Sequence, residues 1–101
     1  MMTADTASRL KPALQRYIDV IAQSASETHY ADDRSRYQQH LAAAALLFAA
    51  IERGDTDEFV KIIASEERSF GWDYLSDECG GRADRAFHEF RSFAKDTISA
   101  L

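Results

Sequence analysis

Three histidines, one cysteine and a scatter of carboxylates are the residues that could do chemistry in this 101-residue chain. Asp84 and His88 stand four apart, as do Arg85 and Glu89, so each pair shares one face of a helix. A carboxylate beside an imidazole is the beginning of a general acid–base couple or of half a metal site. It is equally an ordinary exposed helix pair, and no third ligand accompanies it. Carboxylate-bridged metal bundles turn Glu-x-x-His pairs inward, and the chain contains none. It also lacks a His-Glu-x-x-His motif and a second cysteine for a zinc site. His40 stands beside the apolar position Leu41 and reads as a helix-face residue, the alternative being a partly buried imidazole that titrates near neutral pH.

Cys79 would need a base and positive surroundings to act as a nucleophile, yet its neighbours Asp77 and Glu78 raise a thiol pKa. Gly80-Gly81 matches no phosphate-binding or dinucleotide loop. The expectation is a protein that is not an enzyme, with no cofactor and no metal.

Charge carries more information. The formal net charge is −5 and the isoelectric point about 5.1, so the chain does not attract phosphate backbones, and neither nucleic acid nor an anionic membrane is an expected partner. Up to Ala50 five basic residues balance five acidic ones. Between Asp55 and Glu78, eight acids face two bases, Lys61 and Arg68, for a local net charge of −6. Glu66, Asp73 and Asp77 fall within about 60 degrees of one another if one helix carries all three, and Glu67 flanks them. Phe70, Trp72 and Tyr74 are embedded in this acidic stretch. Aromatic anchors inside a polar rim are the usual make-up of a binding surface. Aromatics at helical spacing also build cores, and Phe70 is the one that best fits that role.

These residues need elements to position them. Hydrophobic residues make up 46% of the chain and charged residues 29%, the balance of a soluble globular domain. The length suits one domain over residues 1–101, with no linker. A single proline, four glycines, abundant alanine and no alternating strand pattern point to an all-α protein. Four helices are predicted, over residues 8–26, 33–53, 56–75 and 82–99. The first carries Leu10, Leu14, Tyr17, Ile18 and Ile21 on one face, with Pro12 expected in its first turn, where a missing N–H is harmless. The second follows an Asp32 or Asp33 cap and carries Tyr37, Leu41, Ala44, Phe48 and Ile51 as its stripe. Gly54 ends it, and Asp55 caps the third, whose buried face is Phe59, Ile62 and Ile63. Gly71 is expected to end or kink that helix, and Gly80-Gly81 to break the chain before the fourth. Short connections make a compact up-down-up-down bundle the simplest packing.

A small acidic helical chain of this kind suits a protein-binding module. The reading favoured is an immunity protein or antitoxin that neutralises a basic, nuclease-type toxin, with Glu66, Glu67, Phe70, Trp72, Asp73, Tyr74, Asp77 and Glu78 facing the partner. The alternatives are a structural or regulatory homo-oligomer, including a homodimer built on the alanine-rich second helix or the phenylalanines of the fourth, and a small-molecule or metal-binding bundle using His40, His88 and the tyrosines. The longest apolar run, Leu41 to Ile51, is half of the roughly 20 residues a membrane span needs. The residues after Met1 lack the basic-then-apolar pattern of a signal peptide. With one cysteine and no disulfide, a cytoplasmic location is the expectation.

Overall fold

The computed structural model describes residues 2–72 and 78–98, with residues 71, 72 and 78–80 described by backbone alone. They form four helices: α1 (Ala4–Glu27), α2 (Ala31–Arg53), α3 (Thr56–Trp72) and α4 (Glu78–Thr97). The long axis measures 41 Å against 21 and 19 Å across. A 24-residue helix rises about 36 Å, so the helices run along that axis. The residues that meet show an antiparallel order throughout. The backbone N–H of Met2 donates to Gly54 O at 2.9 Å, joining the start of α1 to the end of α2. Glu27 at the end of α1 pairs with Arg82 at the start of α4 at 2.6 Å. Between α3 and α4, Phe59 meets Phe90 and Phe70 meets Phe87. The fold is an all-α up-down-up-down four-helix bundle.

Local chemistry sets the boundaries. The Thr3 hydroxyl oxygen accepts from the Thr6 N–H at 3.1 Å, so α1 starts at Ala4, one turn before the predicted Ser8. Pro12 therefore lies inside α1 rather than in its first turn. Its ring is on the exposed side, as is Ser8, whose carbonyl loses the Pro12 donor and faces water instead. Helix α2 begins at Ala31 without a side-chain cap, so Asp32 and Asp33 sit in its first turn and do not cap it. The α1–α2 corner is tied instead by Arg34, which donates to Ala25 O at 3.3 Å and Thr28 O at 2.8 Å. A guanidinium on the last carbonyls of a helix also offsets its negative end.

The α2–α3 connection matches expectation. Gly54 adopts φ 68°, and its N–H donates to Ile51 O at 3.0 Å while the Asp55 N–H donates to Ala50 O at 2.8 Å. This is the Schellman pattern, which requires a left-handed residue at that point. Asp55 then accepts from the Glu58 N–H at 3.1 Å, capping α3. Two glycine readings change. Gly71 is helical, inside α3 and next to its final residue. Gly80 and Gly81 do not break the chain but lie in the opening turn of α4. There the N–H groups have no intrahelical acceptor in any case, so the weak helix preference of glycine costs little. A β-carbon on Gly81 would touch Arg85 Nη1 at 3.6 Å, an ordinary contact.

The core runs the length of the bundle. Leu10, Leu14, Tyr17 and Ile21 face Tyr37, Ala44, Leu47 and Ile51, with Phe59, Ile63, Phe87 and Phe90 closing the other side. Helix α2 presents Tyr37, His40, Ala44, Leu47 and Ile51 to this core, while Leu41 and Phe48 are only half-buried. The stripe is turned by about one position from the predicted one, and His40 is in it.

Candidate functional site

The predicted partner-facing residues divide sharply. Glu67 is exposed on α3 and makes an ion pair with Arg91 of α4. Phe70 is half-buried and stacks between two other rings. Glu66 is not on the acidic surface: it is 8% exposed and points into the bundle. One position of helix rotates a side chain by about 100 degrees, which separates Glu66 from Glu67. Asp73, Tyr74 and Asp77 lie outside the described residues, as do the side chains of Trp72, which closes α3, and Glu78, which opens α4. Of the acids between Glu66 and Glu78, the described residues therefore place only Glu67 on the surface. At the other end of α3, Asp55 and Asp57 are exposed.

Glu66 turns inward because a partner waits there. Nδ1 of His40, on α2, lies 2.7 Å from Glu66 Oε2. A carboxylate only accepts, so the ring donates its Nδ1–H. His40 is 1% exposed, and the face of its ring stacks on Phe70 with centroids 4.1 Å apart and planes 12° off parallel. Phe70 stacks in turn on Phe87 at 4.6 Å and 17°. Phe87 meets the edge of Tyr17 at 5.9 Å and 61°. The His40–Glu66 pair and three further aromatic rings therefore join all four helices. The second ring nitrogen of His40, Nε2, is buried without a hydrogen-bond partner among the described residues, and so is the Tyr17 hydroxyl.

Sequence reasoning placed His40 on a helix face and Glu66 at a binding surface. The missed signal was their spacing. His40 is three residues after Tyr37 and four before Ala44, and Glu66 is seven after Phe59 and three after Ile63. Both occupy core positions, and a basic and an acidic group on facing core stripes form a pair.

Burial pushes the Tyr17 phenol well above its ordinary pKa, and the negative charge of Glu66 pushes it the same way. A raised folded-state pKa gives a stability that is complete below the unfolded value of about 10 and is lost as pH rises beyond it. Tyr17 is expected to ionise only with unfolding, seen as a phenolate absorbance rise that coincides with loss of helical signal. Removing the hydroxyl in Tyr17→Phe leaves the ring packing intact and removes an unpartnered buried group. That variant is expected to gain about 1 kcal/mol in urea unfolding. A loss of stability would mean that the hydroxyl is satisfied after all.

The Asp84–His88 pair is real but open to solvent: Nε2 lies 3.4 Å from Asp84 Oδ1, with both side chains about half exposed. At that distance and exposure it amounts to about 0.2–0.5 kcal/mol of helix stabilisation. Among the described residues no group of three His, Cys, Asp or Glu side chains is arranged to hold a metal. None of the described helices is long and apolar enough to cross a membrane. A groove of about 250 Å³ runs between α1 and α4, floored by Ala13, Tyr17 and Phe90 and edged by Arg16 and Glu89. Comparison with protein-family models, with curated proteins and with solved structures finds no match for the chain.

Proposed function

We propose that this chain is a protein-binding module that docks onto a basic protein through the acidic end of α3 and the opening of α4. The role that suits such a module is that of an immunity protein or antitoxin, which neutralises a basic nuclease-type toxin by covering its cationic surface. The observation that carries this reading is the uneven charge: the local −6 between Asp55 and Glu78 against a neutral first half. Supporting it, Glu67 is exposed on α3, and in the sequence it is followed by Trp72, Asp73, Tyr74 and Asp77 before Glu78 opens α4. Complementary charge accelerates encounter, and a desolvated aromatic slows release.

Glu66 takes no part in this surface; its role is to hold His40. A charge-reversal test must therefore spare it. The combined substitution Glu67→Lys, Asp73→Lys and Asp77→Lys is expected to abolish recovery of a basic partner from the source cell at low salt, and the wild-type complex is expected to weaken steeply as salt is raised. Circular dichroism should show an unchanged fold. If the triple variant retains the partner at wild-type strength, or if the wild-type complex ignores salt, the proposal fails.

A further inference from the structure

The groove between α1 and α4 carries charges at and beyond its edges. Arg16 and Glu89 edge the groove, and Arg9 and Asp96 extend the same helix faces beyond it; all four are exposed. None of them has an ion-pair partner among the described residues. Arg9, Ala13, Arg16 and Val20 follow one another at three- and four-residue steps, as do Ala86, Glu89, Phe93 and Asp96, so each set is one helix face. The antiparallel order puts them level. Tyr17 meets both Phe87 and Phe90, so Arg16 stands level with Glu89, Arg9 with Asp96, Ala13 with Phe93 and Val20 with Ala86. On this face a small residue is always level with a large one, and a cation with an anion.

We infer that this face binds a second copy of the chain, across a two-fold axis parallel to the helices. Such an axis sets α1 of one protomer against α4 of its partner and preserves the levels. Arg16 then faces Glu89 of the partner subunit, and Arg9 faces Asp96 of the partner subunit, each contact occurring twice by symmetry. The same operation seats Phe93 over Ala13 of the partner subunit and Val20 over Ala86 of the partner subunit. The apolar floor of the groove becomes the centre of the contact and the charges become its rim, the usual arrangement of an interface. Glu67 pairs with Arg91, which is not among the residues lining the groove, so dimerisation through the groove leaves Glu67 uncovered.

Sedimentation equilibrium of the full chain over a dilution series, with three variants, tests the inference. The wild type is expected to dimerise. Arg16→Glu sets two carboxylates against each other twice, and Glu89→Arg does the same with two guanidiniums, so each is expected to weaken the dimer at least tenfold. Mixing the two variants in equal amounts restores opposite charges at both contacts and is expected to recover the dimer as a heterodimer. Both substitutions are at exposed positions, and circular dichroism checks that each variant is folded. Leu46→Glu, on the outer face of α2 where Leu46 is 59% exposed, is expected to leave the dimer unchanged. A wild-type chain that stays monomeric to about 1 mM, the weak end of specific binding, overturns the inference. So does a dimer that survives both single reversals, one that the mixture does not restore, or one that Leu46→Glu breaks.

Discussion

Replacing His40 with leucine is expected to destabilise the bundle by about 3–5 kcal/mol, although leucine is a good core residue. The cost arises at Glu66. With the Nδ1–H gone, its carboxylate remains in the bundle interior without the donor 2.7 Å away, and an uncompensated buried charge is among the most damaging defects a core can hold. That loss would consume a large part of the 5–15 kcal/mol on which a domain of this size depends. Replacing both residues, in His40→Leu with Glu66→Met, removes the charge along with its partner and is expected to return the protein to within about 1 kcal/mol of wild type, or above it. Urea unfolding of wild type, both singles and the double closes the cycle. A cycle in which the two single losses simply add would show that the pair is not coupled.

The second large effect is at Phe87. This ring is fully buried and touches Phe70 by its face and Tyr17 by its edge, so it joins α4 to both α1 and α3. Phe87→Ala is expected to cost about 3–5 kcal/mol, the combined loss of buried area and of a cavity that neighbouring helices cannot fully close. The melting temperature should fall by about 12 °C or more. The effect is expected to reach His40, which loses the far end of the stack that holds Phe70 against it. Phe93→Ala, at the half-buried edge of the α1–α4 groove, serves as the reference, and in dilute solution it should cost much less. Equal losses at the two positions would show that the stack has no special place in the core.

The architecture was legible because the devices that make it are local. Gly54 with Asp55 states the end of one helix and the start of the next in two residues, and the three- and four-residue spacing of Leu10, Leu14, Tyr17 and Ile21 shows a buried face without ambiguity. Where local signals conflict, the reading failed. Thr3 starts α1 a turn before the predicted Ser8, and Pro12 is tolerated because its side of α1 faces water. The inner face of α2 was harder, since the segment from Leu41 to Ile51 is apolar on nearly every side and periodicity cannot choose among its faces. His40 settles which face is inside, but only through Glu66, 26 positions away. The acidic surface shows the same limitation. A count of charges along the chain treats Glu66 and Glu67 alike, whereas the helix sends one to the core and the other to Arg91.

The antiparallel order also implies a sequence of assembly. Each of the joints α1–α2, α2–α3 and α3–α4 connects neighbours in the chain, and the first two turn within a few residues, so they close at low entropic cost. The α1–α4 seam is different: Tyr17 must find Phe87 and Phe90, and Glu27 must find Arg82, across 55 or more residues. That seam is the last to close as the chain folds and the first to part in partial opening. In the monomer, backbone amides of α4 should accordingly exchange with solvent before those of α2.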